Sequence, residues 1–499
     1  MNKSRIEYVY VALILVTASV LILSNLGNIY LWGDEAQTAL IAKTILTHGV
    51  PLGYDGTNYF STERMVELGK GNLWRWHAWL PFYVLAGFFA VFGVGTFTAR
   101  LPFALFGIGT ILLTYYFGKS MWKVRRAGVL AALFLITSVP FILLVRQCRY
   151  YSPSAFFCVA ALYAYYEMMN RRKYAASAFV IASFMLFHSF YVYLPALLGA
   201  VIIHAALYHR DRLRQVVLLS GAVVVINIPW MIFFSSVANA PHGETSMAVR
   251  FATLMGYFAV QIGKHVFPIW LPMVLVILGV LYRLKHGRFE KPHSETIQNL
   301  VLLVLFSVFT AMILSPIAPN TFLRYLAPLF PLSALIVAII LESAMKRLHW
   351  STGIIVLAIL ALTGRMPQYL YEITHDYDGP VEGIVECLGA NAGPNDVVAT
   401  NHEALPIVFY TGLRVISGVT GEDYSLAKDA DWVILRKYVT EEEHGITSYL
   451  VQNLDQSGYE AITIPYPDVQ FENRESPEDH LFRTVEDEDM VVIWHRIKE

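Results

Sequence analysis

The sequence predicts a polytopic α-helical membrane protein of about 11–13 transmembrane helices, followed by a C-terminal extracytoplasmic α/β domain. Three observations carry this reading. Of 499 residues, 56% are hydrophobic and only 15% are charged, where a soluble chain is about a quarter charged. Apolar runs approaching the roughly 20 residues of a bilayer-spanning helix recur between residues 9 and 363. Charge is divided along the chain: residues 370–499 hold 26 acidic and 8 basic side chains, a net of −18, which leaves +17 on the remainder. That acidity argues against nucleic acid or an anionic membrane surface as the tail's partner. The three cysteines, Cys148, Cys158 and Cys387, give no disulfide framework and no metal-ligand spacing.

The first run, 9–26, follows Lys3 and Arg5 and has no small-residue cleavage site after it, so it reads as a retained helix. Ten further runs lie at about 98–118, 127–145, 152–169, 174–187, 190–208, 216–234, 266–282, 298–314, 325–341 and 351–363. Basic clusters separate them at Lys119–Arg126, Arg171–Lys173, His209–Arg214, Arg283–Lys291 and Lys346–Arg347. Positive charge marks the cytoplasmic side. The N-terminus is therefore expected inside, and the loops 30–78, 146–151, 235–265 and 315–324 outside with the C-terminal domain. The stretch Trp79–Phe92 is short for a span and reads as re-entrant or interfacial. Residues 1–369 thus form the membrane part. In the tail, strands are expected at Asp396–Thr400, Leu413–Ile416, Asp431–Arg436, Ala461–Pro465 and Met490–Trp494, with a helix at Glu403–Tyr410. No nucleotide-binding glycine motif opens it, and no nucleotide cofactor is expected.

Candidate chemistry lies outside. Leu31-Trp32-Gly33-Asp34-Glu35-Ala36 places two carboxylates where the chain leaves the membrane, and ionisable groups there are usually functional. A short amphipathic helix follows, with Ala39, Ile41, Ala42, Ile45 and Leu46 on one face and Gln37, Lys43 and Thr44 on the other; Leu40 falls on the polar side. Asp34 then either serves as a simple N-cap or carries chemistry. Trp74, Trp76 and Trp79 suit either interfacial anchoring or contact with a sugar face. Arg146 and Arg149 flank a short outside loop against the positive-inside bias, next to Tyr150. They are suited to bidentate phosphate binding, or to an ion pair with Asp34 or Glu35. Arg324 raises the same question. His188 is either a satisfied polar residue or a ligand, and Lys264 and His265 are further candidates for a headgroup.

The ordered set resembles a known family. It comprises a first helix, Trp-x-Asp-Glu, and an outside loop ending Trp76-His77-Ala78-Trp79-Leu80-Pro81-Phe82-Tyr83. It continues with Ala99-Arg100-Leu101-Pro102-Phe103 and Arg324-Tyr325-Leu326-Ala327-Pro328-Leu329-Phe330-Pro331. Over residues 5–345 this is similar to the GT-C glycosyltransferases, in the branch of protein mannosyltransferases and the lipid A aminoarabinose transferase. The resemblance implies an inverting transferase using a polyprenyl-phosphate sugar on the external face of the plasma (bacterial inner) membrane, with a lipid, glycan or protein acceptor. It implies that Asp34 is catalytic, with Glu35 beside it. His77, Arg149, Tyr150, His188, Lys264 and Arg324 would bind substrate. A second acid in the 146–151 loop of some relatives is missing here, so either Glu35, Asp55 or Glu244 supplies it or only one carboxylate is used, and a divalent metal ion is left open. A polyprenyl-phosphate or glycolipid flippase is the competing class. Transporters, however, place ionisable groups near the bilayer midplane, whereas these runs are nearly free of charge. A non-catalytic scaffold would leave Asp34 and Glu35 without a role.

Overall fold

The computed structural model describes residues 3–234, 247–266, 280, 284, 294–317, 322–347, 356–359, 361, 364–439, 445–454, 456–469, 476–483 and 486–497. Most of the expected spans 266–282 and 351–363, and Glu244, lie outside them.

The chain is mostly helical. Helix α1 (Lys3–Leu23) is followed by α2 (Gly33–His48), the external loop, α3 (Leu80–Phe92), α4 (Thr96–Trp122), α5 (Arg125–Thr137) and α6 (Val139–Arg146). Then come α7 (Tyr151–Met169), α8 (Ala175–Ser189), α9 (Tyr193–Tyr208), α10 (Leu213–Phe233), α11 (Met247–Gln261), α12 (Ser294–Ile317) and α13 (Leu329–Arg347). Among the described residues four segments are long and apolar enough to cross a membrane: Ile6–Leu23, Thr96–Trp122, Arg210–Phe233 and Ser294–Pro316. Tyr8, Leu13, Val16 and Val20 on α1, and Leu218, Val225 and Ile232 on α10, stand exposed, as a lipid-facing surface requires. The chain is a multi-pass membrane protein.

The run 127–145 is not one straight span. It breaks at Ser138 into α5 and α6, which are bent by 71°. Pro140 gives the reason: without an N–H, and with its ring against the preceding turn, it cannot continue α5, yet it suits the first turn of α6. Helices α4 and α5 meet closely at Gly128, where a Cβ would lie 2.5 Å from the Tyr115 carbonyl oxygen. Only a glycine admits that approach.

The tail begins with α14 (Met366–Glu372) and α15 (Pro380–Asn391), so the boundary expected at 369/370 falls inside a helix. Strands β1 (Val397–Thr400), β2 (Arg414–Ser417), β3 (Trp432–Ile434), β4 (Tyr459–Pro467) and β5 (Met490–Arg496) form one sheet in the order β2-β1-β3-β5-β4. The first three strands are parallel, and β5 is antiparallel to both its neighbours. Helix α16 (Ala404–Thr411) connects β1 to β2. This small α/β layer matches the sequence reading.

The tail does not hang free. Leu31, Ala36, Leu40 and Phe60 share one hydrophobic core with Leu405, Val408, Val415 and Trp432. The Leu31 N–H donates to the Tyr410 hydroxyl at 2.8 Å, the Tyr30 N–H donates to Glu382 Oε1 at 2.8 Å, and the Tyr30 and Tyr410 rings stack at 4.0 Å. Helix α2 is therefore covered nearly all round. Gln37, Thr38, Leu40 and Thr44, on or near the expected polar face, are buried with Ala39 and Ile41. This corrects the amphipathic expectation, because the external loop at Leu52, Phe60 and Thr62 and helix α16 at Phe409 together cover the side assigned to water.

Candidate active site

Trp32, not Asp34, is the N-cap of α2, and Asp34 sits in the helix's first turn. Its side chain makes no cap. One carboxylate oxygen, Oδ2, receives two guanidinium groups, Arg149 Nη2 at 3.1 Å and Arg324 Nη1 at 3.3 Å. Arg149 is 5% exposed and is fixed from behind. Its Nη1 donates to the Asp34 carbonyl at 3.0 Å and to Thr38 Oγ1 at 3.1 Å. Arg324 lies over the Phe322 ring at 4.0 Å and the Trp32 ring at 5.4 Å, a planar cation on aromatic faces. Two elements more than a hundred residues from Asp34 thus deliver fixed cations to one partly open carboxylate.

The neighbouring Glu35 has another task. It has no exposed surface, and both its oxygens are taken. Arg100 grips it through Nε at 2.9 Å and Nη2 at 2.6 Å, and the Cys148 N–H donates to Oε1 at 2.7 Å. Arg100 also donates to the carbonyls of Leu26, Ile29 and Tyr30. Arg146 donates to the carbonyls of Leu21, Ile22, Ser24 and Asn25 at the end of α1, where a cation complements the helix's unsatisfied carbonyls. Glu35, Arg100 and Arg146 hold the turn that presents Asp34. As a reacting carboxylate Glu35 is not supported by this geometry.

Of the other expected residues, His77 and Tyr150 join the site. The His77 ring lies 5.5 Å from Tyr150, Tyr150 stacks on Phe190 at 4.3 Å, and the Arg149 guanidinium lies 5.5 Å from the Tyr150 ring centroid. His77 Nδ1 is buried without a hydrogen-bond partner. Burial, with Arg149 and Arg324 beside it, holds its imidazole well below the usual histidine range, so the ring is neutral. His188 is not brought to Asp34. It packs edge-on to Trp230 at 5.1 Å, in a cluster with Trp79, Phe233 and Phe234. Trp74 is wholly buried and belongs to the core. Lys264 lines a separate cavity. Asp55 accepts from the Thr57 and Asn58 N–H groups in its own turn, so it supplies no second acid. The sequence reading quoted Arg100 only within the Ala99–Phe103 motif and gave it no role, although a guanidinium near the start of a mostly apolar helix was a signal. It also gave no rank to Glu63, whose carboxyl is raised by burial and then by Glu67 and Asp34.

A divalent ion does not fit this donor set. Both neighbours of the Asp34 carboxylate are cations, Glu35 is occupied, and no three His, Cys, Asp or Glu side chains converge among the described residues.

Residues 76–233 match the family model described as dolichyl-phosphate-mannose-protein mannosyltransferase. The crystal structure of ArnT from Cupriavidus metallidurans in the apo state superposes with a TM-score of 0.62, covering 99% of this chain and 98% of that one at 14% identity. The chain has the GT-C fold. This bears out the resemblance read from the sequence, and at such identity the likeness is one of fold. ArnT bound to undecaprenyl phosphate gives a TM-score of 0.60 at 13% identity, over the same shares of both chains. The archaeal oligosaccharyltransferase AglB from Archaeoglobus fulgidus, in complex with an inhibitory peptide and a dolichol-phosphate, gives 0.59 at 14% identity, over 94% of this GT-C chain and 75% of AglB. An uncharacterized protein of Aquifex aeolicus (strain VF5) is 30% identical over 165 residues, which is 32% of this chain and 30% of that protein.

Proposed function

We propose that this GT-C chain is an inverting membrane glycosyltransferase. It moves a sugar from a polyprenyl-phosphate donor to a lipid, glycan or protein acceptor on the external face of the plasma (bacterial inner) membrane. Residues 1–369, with the loop 30–78, form the catalytic part, and residues 370–499 form the external domain. The N-terminus is cytoplasmic. The observation that carries the reading is Asp34 held between Arg149 and Arg324 at the end of the first span. The solved neighbours that hold undecaprenyl phosphate and dolichol-phosphate support it.

The chemistry follows from the charges. The acceptor's hydroxyl or amine attacks the anomeric carbon from the face opposite the phosphate. Asp34 accepts the departing proton or orients the nucleophile. The bond from the anomeric carbon to the phosphate oxygen breaks, and its electron pair leaves on the lipid phosphate. Arg149 and Arg324, already in place, stabilise that developing charge. Both guanidinium groups meet Asp34 on one oxygen, so an entering phosphate competes with that oxygen for them and frees it toward the acceptor. Neutral His77 adds no charge to the site and offers Nδ1 as a further hydrogen-bonding atom.

The test is a transfer assay with purified protein, a panel of radiolabelled polyprenyl-phosphate sugars and an envelope acceptor extract, with and without chelator. Label reaching acceptor with wild type but not with Asp34→Asn is the expected result. Binding of polyprenyl phosphate without any consumption of donor would instead favour the flippase.

A further inference from the structure

The turn that carries Arg324 is held by a distant piece of the tail. Leu323–Leu326 is a single 3-10 turn, and its N-cap, Phe322, has no side chain able to accept a hydrogen bond. The first N–H groups of such a turn have no partner within it. The Leu323 N–H finds one 155 residues away, donating to Glu478 Oε1 at 2.9 Å. Glu478 thereby caps the turn from outside, and a carboxylate suits that end. Its other oxygen, Oε2, is buried and finds no hydrogen-bond partner among the described residues. The far side of the turn is tied to the membrane part, where the Tyr193 hydroxyl donates to the Tyr325 carbonyl at 2.9 Å. Arg324 lies between these two ties, with its guanidinium on Asp34.

The segment 476–483 that bears Glu478 is anchored behind. His480 pairs through Nε2 with Glu372 Oε2, and their side chains are only 6% and 9% exposed. Arg365 Nη1 donates to the His480 carbonyl at 2.9 Å. Phe482 takes a φ of 62°, which costs a non-glycine residue energy, and its ring is buried in the membrane core. Glu372 stands on α14. From the same helix the Tyr369 hydroxyl donates to the Leu21 carbonyl at 2.5 Å and accepts from Arg146 at 3.2 Å. The contacts close a ring. From the end of α1, one path runs along the chain to Asp34. The other runs through α14, His480, Glu478 and Leu323 to Arg324, and the two meet at the ion pair. We propose that Glu478 is a positioning residue for Arg324: through the Leu323 N–H it sets where the guanidinium stands relative to Asp34 and to the lipid phosphate. The proposal rests on the transferase reading for the role of Arg324.

The experiment is a double-mutant cycle on the full chain in detergent, read by equilibrium binding of radiolabelled undecaprenyl phosphate. Glu478→Ala removes the acceptor and should weaken binding about five-fold, as for one lost hydrogen bond. Glu478→Gln keeps a carbonyl oxygen for the Leu323 N–H and should bind as wild type does. In an Arg324→Ala background Glu478→Ala should cost nothing further, because no guanidinium is left to place. His480→Ala frees the other end of the segment and should behave like Glu478→Ala in both backgrounds; it replaces that variant in the cycle if Glu478→Ala does not fold. Equal losses with and without Arg324 would make the segment a structural element and overturn the proposal. Wild-type binding by both Glu478→Ala and His480→Ala would overturn it too, as would failure of Glu478→Gln to restore binding. Transfer from a panel of polyprenyl-phosphate sugars is measured in parallel. If the cycle is coupled but wild type transfers nothing, the positioning role stands and the transferase reading fails. If wild type transfers and the cycle is additive, the reverse holds.

Discussion

Asp34 and Glu35 are adjacent in sequence, and the structure predicts that neutralising each has an opposite effect. Glu35 has no exposed surface and accepts three hydrogen bonds, two from Arg100 and one from the Cys148 N–H. In Glu35→Gln the amide oxygen can still accept from Arg100 Nε, but the amide NH2 must face the Nη2 donor, and Arg100 stays buried with no counter-charge beside the Leu26, Ile29 and Tyr30 carbonyls. Breaking a buried pair by removing one partner costs about 3–5 kcal/mol, and the three remaining carbonyls place this case near about 3 kcal/mol. The Asp34 side chain is 22% exposed. In Asp34→Asn, Arg149 keeps the Asp34 backbone carbonyl and Thr38, so the cost is nearer about 1 kcal/mol. Thermal unfolding of detergent-purified protein, followed by tryptophan fluorescence, measures both costs. Sugar transfer well below the unfolding temperature measures turnover of each variant. Glu35→Gln should unfold markedly earlier yet retain turnover in its folded fraction, whereas Asp34→Asn should unfold near wild type and transfer nothing. The assignment is refuted if Glu35→Gln is as stable as wild type, or if Asp34→Asn turns over normally.

Three further outcomes are expected. Arg149→Ala should weaken lipid-phosphate binding about ten-fold or more, and unchanged binding of undecaprenyl phosphate in detergent would move the phosphate role elsewhere. His77 has its folded pKa depressed. Its contribution to stability is therefore complete above the unfolded histidine value of about 6.5 and declines as pH falls below it; His77→Gln should flatten that acid-side slope, which a pH series of unfolding temperatures reads directly. Tyr410→Phe removes the hydroxyl that accepts from the Leu31 N–H and pairs with Thr96 Oγ1 at 2.8 Å. It should lower kcat with little change in donor KM, and a change confined to KM would argue against a positioning role.

Asp34 and Arg149 were legible in the sequence because each stands where charge is expensive without a reason: one at a membrane edge, the other on a short outside loop. Their pairing was legible as well, as one of two readings of Arg149. The strands of the tail were visible as β-rich runs between helices. Other features were not. The partnership of Glu35 with Arg100 spans 65 residues, and nothing local in α2 or α4 encodes it. The covering of α2 by the tail was hidden because its amphipathic pattern describes a helix beside water, while Gln37, Thr38 and Thr44 satisfy their hydrogen bonds inside protein. The Ser138 bend had a signal in Pro140, which lay inside an apolar run long enough to read as one span. His188 and Lys264 were chosen for their height along the chain, which fixes depth in a bilayer but not position around the bundle.

The core shared between α2 and the tail has a consequence for how the molecule is made. Residue 30 receives its carboxylate acceptor from residue 382 and its stacking partner from residue 410, and residue 58 is held by residues 413 and 415. During synthesis the segment bearing Asp34 emerges some 350 residues before its packing partners. A chain interrupted before its final hundred residues would insert its helices and still lack the surface that seats α2. The tail is in this sense a late-arriving wall of the Asp34 site: the first turn of α2 acquires its final packing only when segments some 350 residues further along the chain fold against it.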